Sequence, residues 1–243
     1  MKTKLLAVAL FGFATLHGQQ AKNIIKTNVT GYIFRNVNLS YERSINKTFA
    51  INVGFGMMPK GNVPMVKNFI GEDADNEIQD LKVSSTSFTI EPRIYLGKKY
   101  NSGFYFAPYY RYTKIKADQI QYEFSYTKDD NSERDMTLDM SGDISANSVG
   151  LMIGSQWYFG KNKNWVIDWW IVGGHYGVSK GNIIGISKNP LDAEDQAAIN
   201  EELNDLDIPI IDYKAEVNSN GAKVKVDGPW AGLRSGLSFG YRF

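Results

Sequence analysis

Residues 231–243 read Ala231-Gly232-Leu233-Arg234-Ser235-Gly236-Leu237-Ser238-Phe239-Gly240-Tyr241-Arg242-Phe243. Apart from Ser235, the odd positions are apolar or aromatic; the even positions are glycine, serine and arginine. Successive side chains of a strand point to opposite faces, so this is a strand with one oily side and one wet side. A soluble sandwich or calyx would turn its large apolar side chains inward. Here the second face is too small and too polar for a dry core, so the oily side reads as the outside.

Toward the N-terminus the same alternation recurs. It marks segments at 24–34, 37–43, 48–57, 84–96, 103–115, 147–159 and 164–177, which with the last strand make eight. In the first, Ile25, Thr27, Val29 and Ile33 share the outward face; in the seventh, Trp165, Ile167, Trp169 and Ile171 oppose Asp168, Trp170 and Gly174. Each segment has about the length that a tilted membrane strand needs. Arg35-Asn36 reads as a tight hairpin link. The second, fourth and sixth links are short; the third, fifth and seventh are long, as expected if both chain ends face the periplasm. The expectation is an all-β fold, an eight-stranded antiparallel up-and-down transmembrane β-barrel. Its first and last strands must pair, because lipid offers no hydrogen bonds to an open edge. Pro92 and Pro108 fall on the outward parity and predict bulges or breaks in the ladder.

The amino-terminal stretch supports export. Met1-Lys2-Thr3-Lys4 is basic and Leu5 to Ala14 is apolar, the pattern of a signal peptide. It is assigned to 1–18, with cleavage after Ala14 as the alternative, and 19–243 forms one barrel domain in the outer membrane. There are 27 basic and 26 acidic residues, so no basic excess points to nucleic acid. The absence of cysteine excludes a lipidated cysteine anchor, a disulfide scaffold and thiolate zinc. Of two histidines, His17 lies in the signal and His175 falls on the outward parity near the external end. That leaves no histidine metal cluster and no marked catalytic triad. The reading is a non-enzymatic envelope protein without a cofactor, the alternatives being a rim enzyme acting on lipid or peptide, or a narrow channel.

Inward parity collects Lys26, Glu42, Glu91, Arg93, Arg111, Asp168, Arg234 and Arg242. Eight strands leave a lumen that side chains fill, and unpaired charges there are costly, so these residues predict a structural charge network. Lys26 should meet Glu42, and Glu91 and Arg93 share one strand face. Outside the barrel, Glu72-Asp73-Ala74-Asp75-Asn76-Glu77 in the Met58–Val83 loop lacks EF-hand spacing and reads as a solvated acidic loop. The start of the Lys116–Ala146 loop alternates, extending strand five into an external hairpin. In the last loop, Asn189-Pro190 opens a helix of about four turns. Leu191, Ala198, Ile199, Leu203 and Leu206 form one face against Asp195, Glu201, Glu202 and Asp205. It is expected to cap the barrel mouth or meet a partner. A hairpin closing at Asn218-Ser219-Asn220-Gly221 follows.

Several stretches carry a family resemblance: Ile25-Lys26-Thr27-Asn28, Asn38-Leu39-Ser40-Tyr41-Glu42-Arg43, Glu91-Pro92-Arg93, Ala107-Pro108-Tyr109-Tyr110-Arg111-Tyr112, Leu203 to Pro209, and Gly228-Pro229-Trp230 through Phe243. With them the mature chain resembles a Bacteroidota family of small outer-membrane β-barrel proteins with no assigned activity. In architecture it is similar to the eight-stranded OmpA and OmpX barrels. The aromatic ending at Phe239, Tyr241 and Phe243 resembles the signal read by the outer-membrane assembly machinery. The resemblance implies an outer-membrane location in a Gram-negative bacterium and supplies no site residues. Expected partners are outer-membrane lipids, that machinery, and an external ligand or protein at the long loops.

Overall fold

The computed structural model describes residues 22–62, 81–97, 99–204 and 212–243, the side chains of 119 and 120 excepted. The expected signal at 1–18, the acidic stretch Glu72–Glu77, Asp205 and Leu206 lie outside these. In chain order the strands are β1 (Asn23–Asn28), β2 (Val37–Ser44), β3 (Phe49–Asn62), β4 (Lys82–Tyr95), β5 (Gly103–Thr127), β6 (Glu133–Phe159), β7 (Trp165–Ser187), β8 (Asp212–Asn218) and β9 (Gly221–Arg242). Helix α1 (Ala193–Asn204) stands between β7 and β8.

Each strand pairs antiparallel with its neighbour, and β1 pairs β9, so β1 to β7 and β9 form a closed ring of eight. One row of paired residues runs from Lys26 through Ser40, Gly54, Thr89, Arg111, Ser148 and Gly177 to Trp230, whereas Lys26 itself pairs with Gly240. The register therefore climbs ten residues per circuit. Taking about 3.3 Å per residue and about 4.8 Å between strands, that stagger tilts the strands by about 40° and sets a radius of roughly 8 Å.

The alternation seen in the sequence sorts the two faces. Ile25, Leu39, Phe55, Phe88, Phe104, Leu151, Trp165 and Leu237 are exposed outside; Lys26, Glu42, Asn52, Glu91, Arg93 and Asp168 are buried inside. On the outside the face turns mostly polar within one register step, Met57, Ile184 and Ile186 being exposed exceptions. Phe55, Phe88, Tyr112, Asn147, Val178 and Pro229 form one row. The outward row above it is Met57, Thr86, Lys114, Ser145, Lys180 and Asp227. Beyond that row β5 to β9 continue as a five-stranded extension whose inner face is apolar, the reverse of the ring below. Met136, Leu138 and Ala222 are buried there beneath Leu191 and Ile199 of the helical segment, with Phe124, Tyr126, Met140, Leu203 and Val217 around them.

Several sequence expectations are corrected. The first strand does not run to residue 34. It ends at Asn28, and Thr30–Phe34 form a 3-10 turn closed by Arg35 in the left-handed region (φ 57°). The Arg35-Asn36 link is thus the end of that turn and not a two-residue hairpin. Gly31, which donates its N–H to Asn28 Oδ1, starts the reversal. In β7 an extra residue at Ile171 forms a bulge: Gly154 pairs with Trp170, but Ile153 pairs with Val172. A bulge leaves its extra residue unpaired and shifts the alternation by one. Ile171 therefore drops out of the outward set, Gly174 faces out, and His175 faces in, where its Nδ1 lies 3.1 Å from Tyr109 Oη. Pro92 and Pro108 produce a break without a bulge. The β4–β5 ladder stops at Ile90–Tyr110 and resumes unshifted at Ile94–Phe106, the span in which the two prolines stand opposite each other.

The helix starts later than expected, at Ala193 rather than after Asn189-Pro190. Asp192 is its cap: its Oδ1 accepts from Asp195 N at 2.8 Å, and Asp195 Oδ2 accepts from Asp192 N at 3.1 Å. Asp195 is not on the solvent face with Glu201 and Glu202 but fully buried, accepting from Tyr126 at 2.8 Å and from Arg134 at 3.3 Å. It clasps the helix to the β5–β6 hairpin. Burial raises its carboxyl, but the hydrogen bonds from Tyr126, Asp192 and Arg134 outweigh that and hold it below its ordinary value of 3.8. A depressed folded pKa contributes stability that is present above 3.8 and lost as pH falls through the folded value. Acidification below that point should loosen the helix while the ring persists. The check is hydrogen exchange of residues 193–204 against β6, with Asp195→Asn flattening the pH response.

Candidate functional site

The interior near the chain ends is filled by one charge network. Lys26 on β1 donates to Glu42 Oε2 (2.5 Å), Asp168 Oδ2 (2.7 Å) and Gln156 Oε1 (2.9 Å). Arg93 Nη1 reaches the same two carboxylate oxygens, Asp168 at 2.7 Å and Glu42 at 3.0 Å, while its Nη2 donates to Glu91 at 2.8 Å. Arg234 lies 2.9 Å from Glu91 Oε1. Three cations thus face three carboxylates, with β1, β2, β4, β7 and β9 each supplying at least one. Buried ions are tolerable only when paired and further hydrogen-bonded, and neutral donors complete this set. Tyr95 and Asn101 donate to Glu42 at 2.7 and 2.6 Å, Tyr105 to Asp168 at 2.8 Å, and Asn52 to Glu91 at 3.0 Å.

Of the eight residues expected in the network, six meet in it. Arg111 stands apart on β5, donating to Thr89 Oγ1 at 3.1 Å. Arg242 stacks on Tyr158, with 4.3 Å between guanidinium carbon and ring centre. Sequence reasoning missed Tyr95, Tyr105 and Asn101. The two tyrosines were on the inward parity, and Tyr105 pairs with Gly154, where a Cβ would come within 2.3 Å of its hydroxyl. That glycine makes room for an inward aromatic. Asn101 sits in the short β4–β5 link in the left-handed region (φ 48°), the conformation asparagine tolerates best after glycine. From there it is fully buried, accepting from Ser44 and, through its carbonyl, from Gln156 and Tyr158. A link residue thus plugs that end of the ring.

Above the network lies a polar chamber of about 220 Å³, lined among others by Asn36, Asn38, Asn52, Ser87, Thr89, Arg111 and Arg234. Lys26, Glu42, Glu91, Arg93 and Asp168 beneath it are at most 1 % exposed. Arg111, Arg234, Asn36 and Asn38 are half-buried, so the chamber opens away from the network. Phe239, Tyr241 and Phe243 face outward, with Phe239 5.4 Å and Tyr241 5.4 Å from Trp165 in an aromatic cluster. Among the described residues no group of three or more histidines and carboxylates could hold a metal. Among the described residues His175 has Tyr109 as its hydrogen-bond partner and no carboxylate. No protein-family model, curated protein or solved structure matches this chain.

Proposed function

We propose that this chain is an outer-membrane β-barrel protein whose ring spans the bilayer and carries a rigid external platform for recognition rather than catalysis. The observation that carries this reading is the apolar outer band, which runs around the ring and gives way to a mostly polar face within one register step while the interior holds balanced ions. Water would leave such a band solvated at high cost, whereas a hydrocarbon layer matches it, and the closed ring leaves no strand edge to lipid. The export-like amino-terminal stretch and the aromatic ending agree with it. Its external part is the β5–β6 hairpin, β8 with the far half of β9, and helix α1. Asp195 and the apolar core hold these as one body, and rigid external elements are where binding residues usually sit.

Boiled and unboiled samples from the envelope test this directly. The unboiled protein, recovered with the outer membrane, should migrate differently from the boiled one, because a closed barrel resists detergent until heated. Recovery in the soluble periplasmic fraction with one mobility would reject the membrane reading.

A further inference from the structure

The polar chamber carries a charge that the network does not use. Lys26, Arg93 and Arg234 are matched by Glu42, Glu91 and Asp168, so the chamber's other guanidinium, Arg111, is surplus. Its one hydrogen bond among the described residues goes to Thr89, a neutral hydroxyl, leaving most of its five N–H donors free. Arg234, on β9 three strands around the ring from β5, faces the same chamber, held over Tyr109 and Trp170 at 4.6 and 4.8 Å. Its one carboxylate, Glu91, is shared with Arg93 and Asn52. Two guanidinium groups facing one cavity repel each other unless an anion lies between them.

A second observation narrows the chemistry. Asn52 is 2 % exposed and lines the chamber; its amide nitrogen is committed to Glu91, and its Oδ1 has no partner among the described residues. A buried acceptor left alone is costly, so the cavity calls for a donor at that point. An anion that also carries a hydroxyl satisfies both demands. Arginine forks fit planar carboxylates and phosphate oxygens; hydrogencarbonate joins an O–H to two oxygens sharing a single charge, whereas protonated phosphate joins it to two or three anionic oxygens on a tetrahedral centre that two forks can share. The chamber's volume admits such a group.

We propose that the chamber is a binding site for a phosphate group, held by Arg111 and Arg234 with its hydroxyl donated to Asn52. The site does not depend on what the external platform recognises. Calorimetric titration of the full chain, folded in detergent, with inorganic phosphate should give saturable one-site binding. Arg111→Gln should weaken it by about tenfold or more, the loss of a charge-assisted contact. Arg242→Gln, outside the chamber, should not change it. Asn52→Leu should also weaken it, because it removes the acceptor for the phosphate O–H, which the mono- and dianion both carry. Retained heat-dependent mobility establishes that each variant is folded. Methyl phosphate, titrated below its second pKa of about 6 so that it keeps an O–H, separates the sources: comparable binding means a phosphate presented by an ester, and binding of inorganic phosphate alone means the free ion. No saturable binding, or binding equally strong in folded Arg111→Gln, overturns the proposal.

Discussion

Leu151→Arg should prevent stable assembly, whereas Thr137→Arg, on the same strand and the same outer face, should leave it nearly unchanged. Leu151 lies midway along the apolar band of β6, with Trp157 toward one end and Asn147 at the other, and is 52 % exposed. Its partners are Pro108 and Gly174, neither of which offers a charge. An arginine facing the middle of a bilayer from a strand costs about 2–4 kcal/mol, falling toward zero near the interfaces. Thr137 pairs with Glu123, above the band, where an arginine would gain a partner. Reversible unfolding from lipid vesicles, followed by the heat-dependent gel shift, measures both. If the two substitutions cost the same, the outer face is not in contact with lipid.

The second large effect belongs to Asp168, which accepts from Lys26, Arg93, Tyr105 and Trp170. Asp168→Ala would leave three cations, Lys26 and Arg93 among them fully buried, for two carboxylates. Removing one member of such a set costs about 3–5 kcal/mol, mostly the penalty of the charge left behind. Lys26→Met combined with Asp168→Leu restores neutrality and should cost less than Asp168→Ala alone, although it deletes two ions. The same unfolding measurement resolves this. A double variant as unstable as the sum of its single changes would mean that the ions are not coupled.

Much of this architecture is legible in the sequence because a half-buried strand writes its orientation at every second residue. The outward residues of β2 to β6 and β9, and the inward Lys26, Glu42, Glu91, Arg93 and Asp168, follow from parity alone. Lys26–Glu42 contact follows from the adjacency of the first two strands. What parity cannot carry is an interruption of itself. Ile171 is an ordinary strand residue, and nothing in its neighbourhood marks it as extra, so the two residues assigned beyond it, Gly174 and His175, fall on the wrong face. Thr30 to Phe34 alternate acceptably as a strand, yet Gly31 and the asparagines Asn28, Asn36 and Asn38 bond locally and turn the chain instead. Asp195 reads as a solvent-face acid because helical periodicity places it there, while its burial depends on Tyr126 and Arg134, more than 60 residues away. Arg111 reads like the other inward charges; only the three-dimensional pairing shows that it is left over.

The distribution of the buried ions bears on how the circle is completed during folding. Contacts between β1 and β9 join the two extremes of the chain and are formed against the greatest loss of chain entropy. Until β1 arrives, the network residues on β2 to β9 set Glu42, Glu91 and Asp168 against Arg93 and Arg234, one negative charge in excess within the network. Lys26 is the missing counter-charge, and β1 carries it to the middle of the gap between β2 and β9, so the seam recognises its own edge by charge as well as by hydrogen bonds. An intermediate that closed without β1, or with β1 out of step by one residue, would turn Lys26 away from the waiting carboxylates. The arrangement acts as a lock on registration, engaged only when the correct edge arrives in the correct phase.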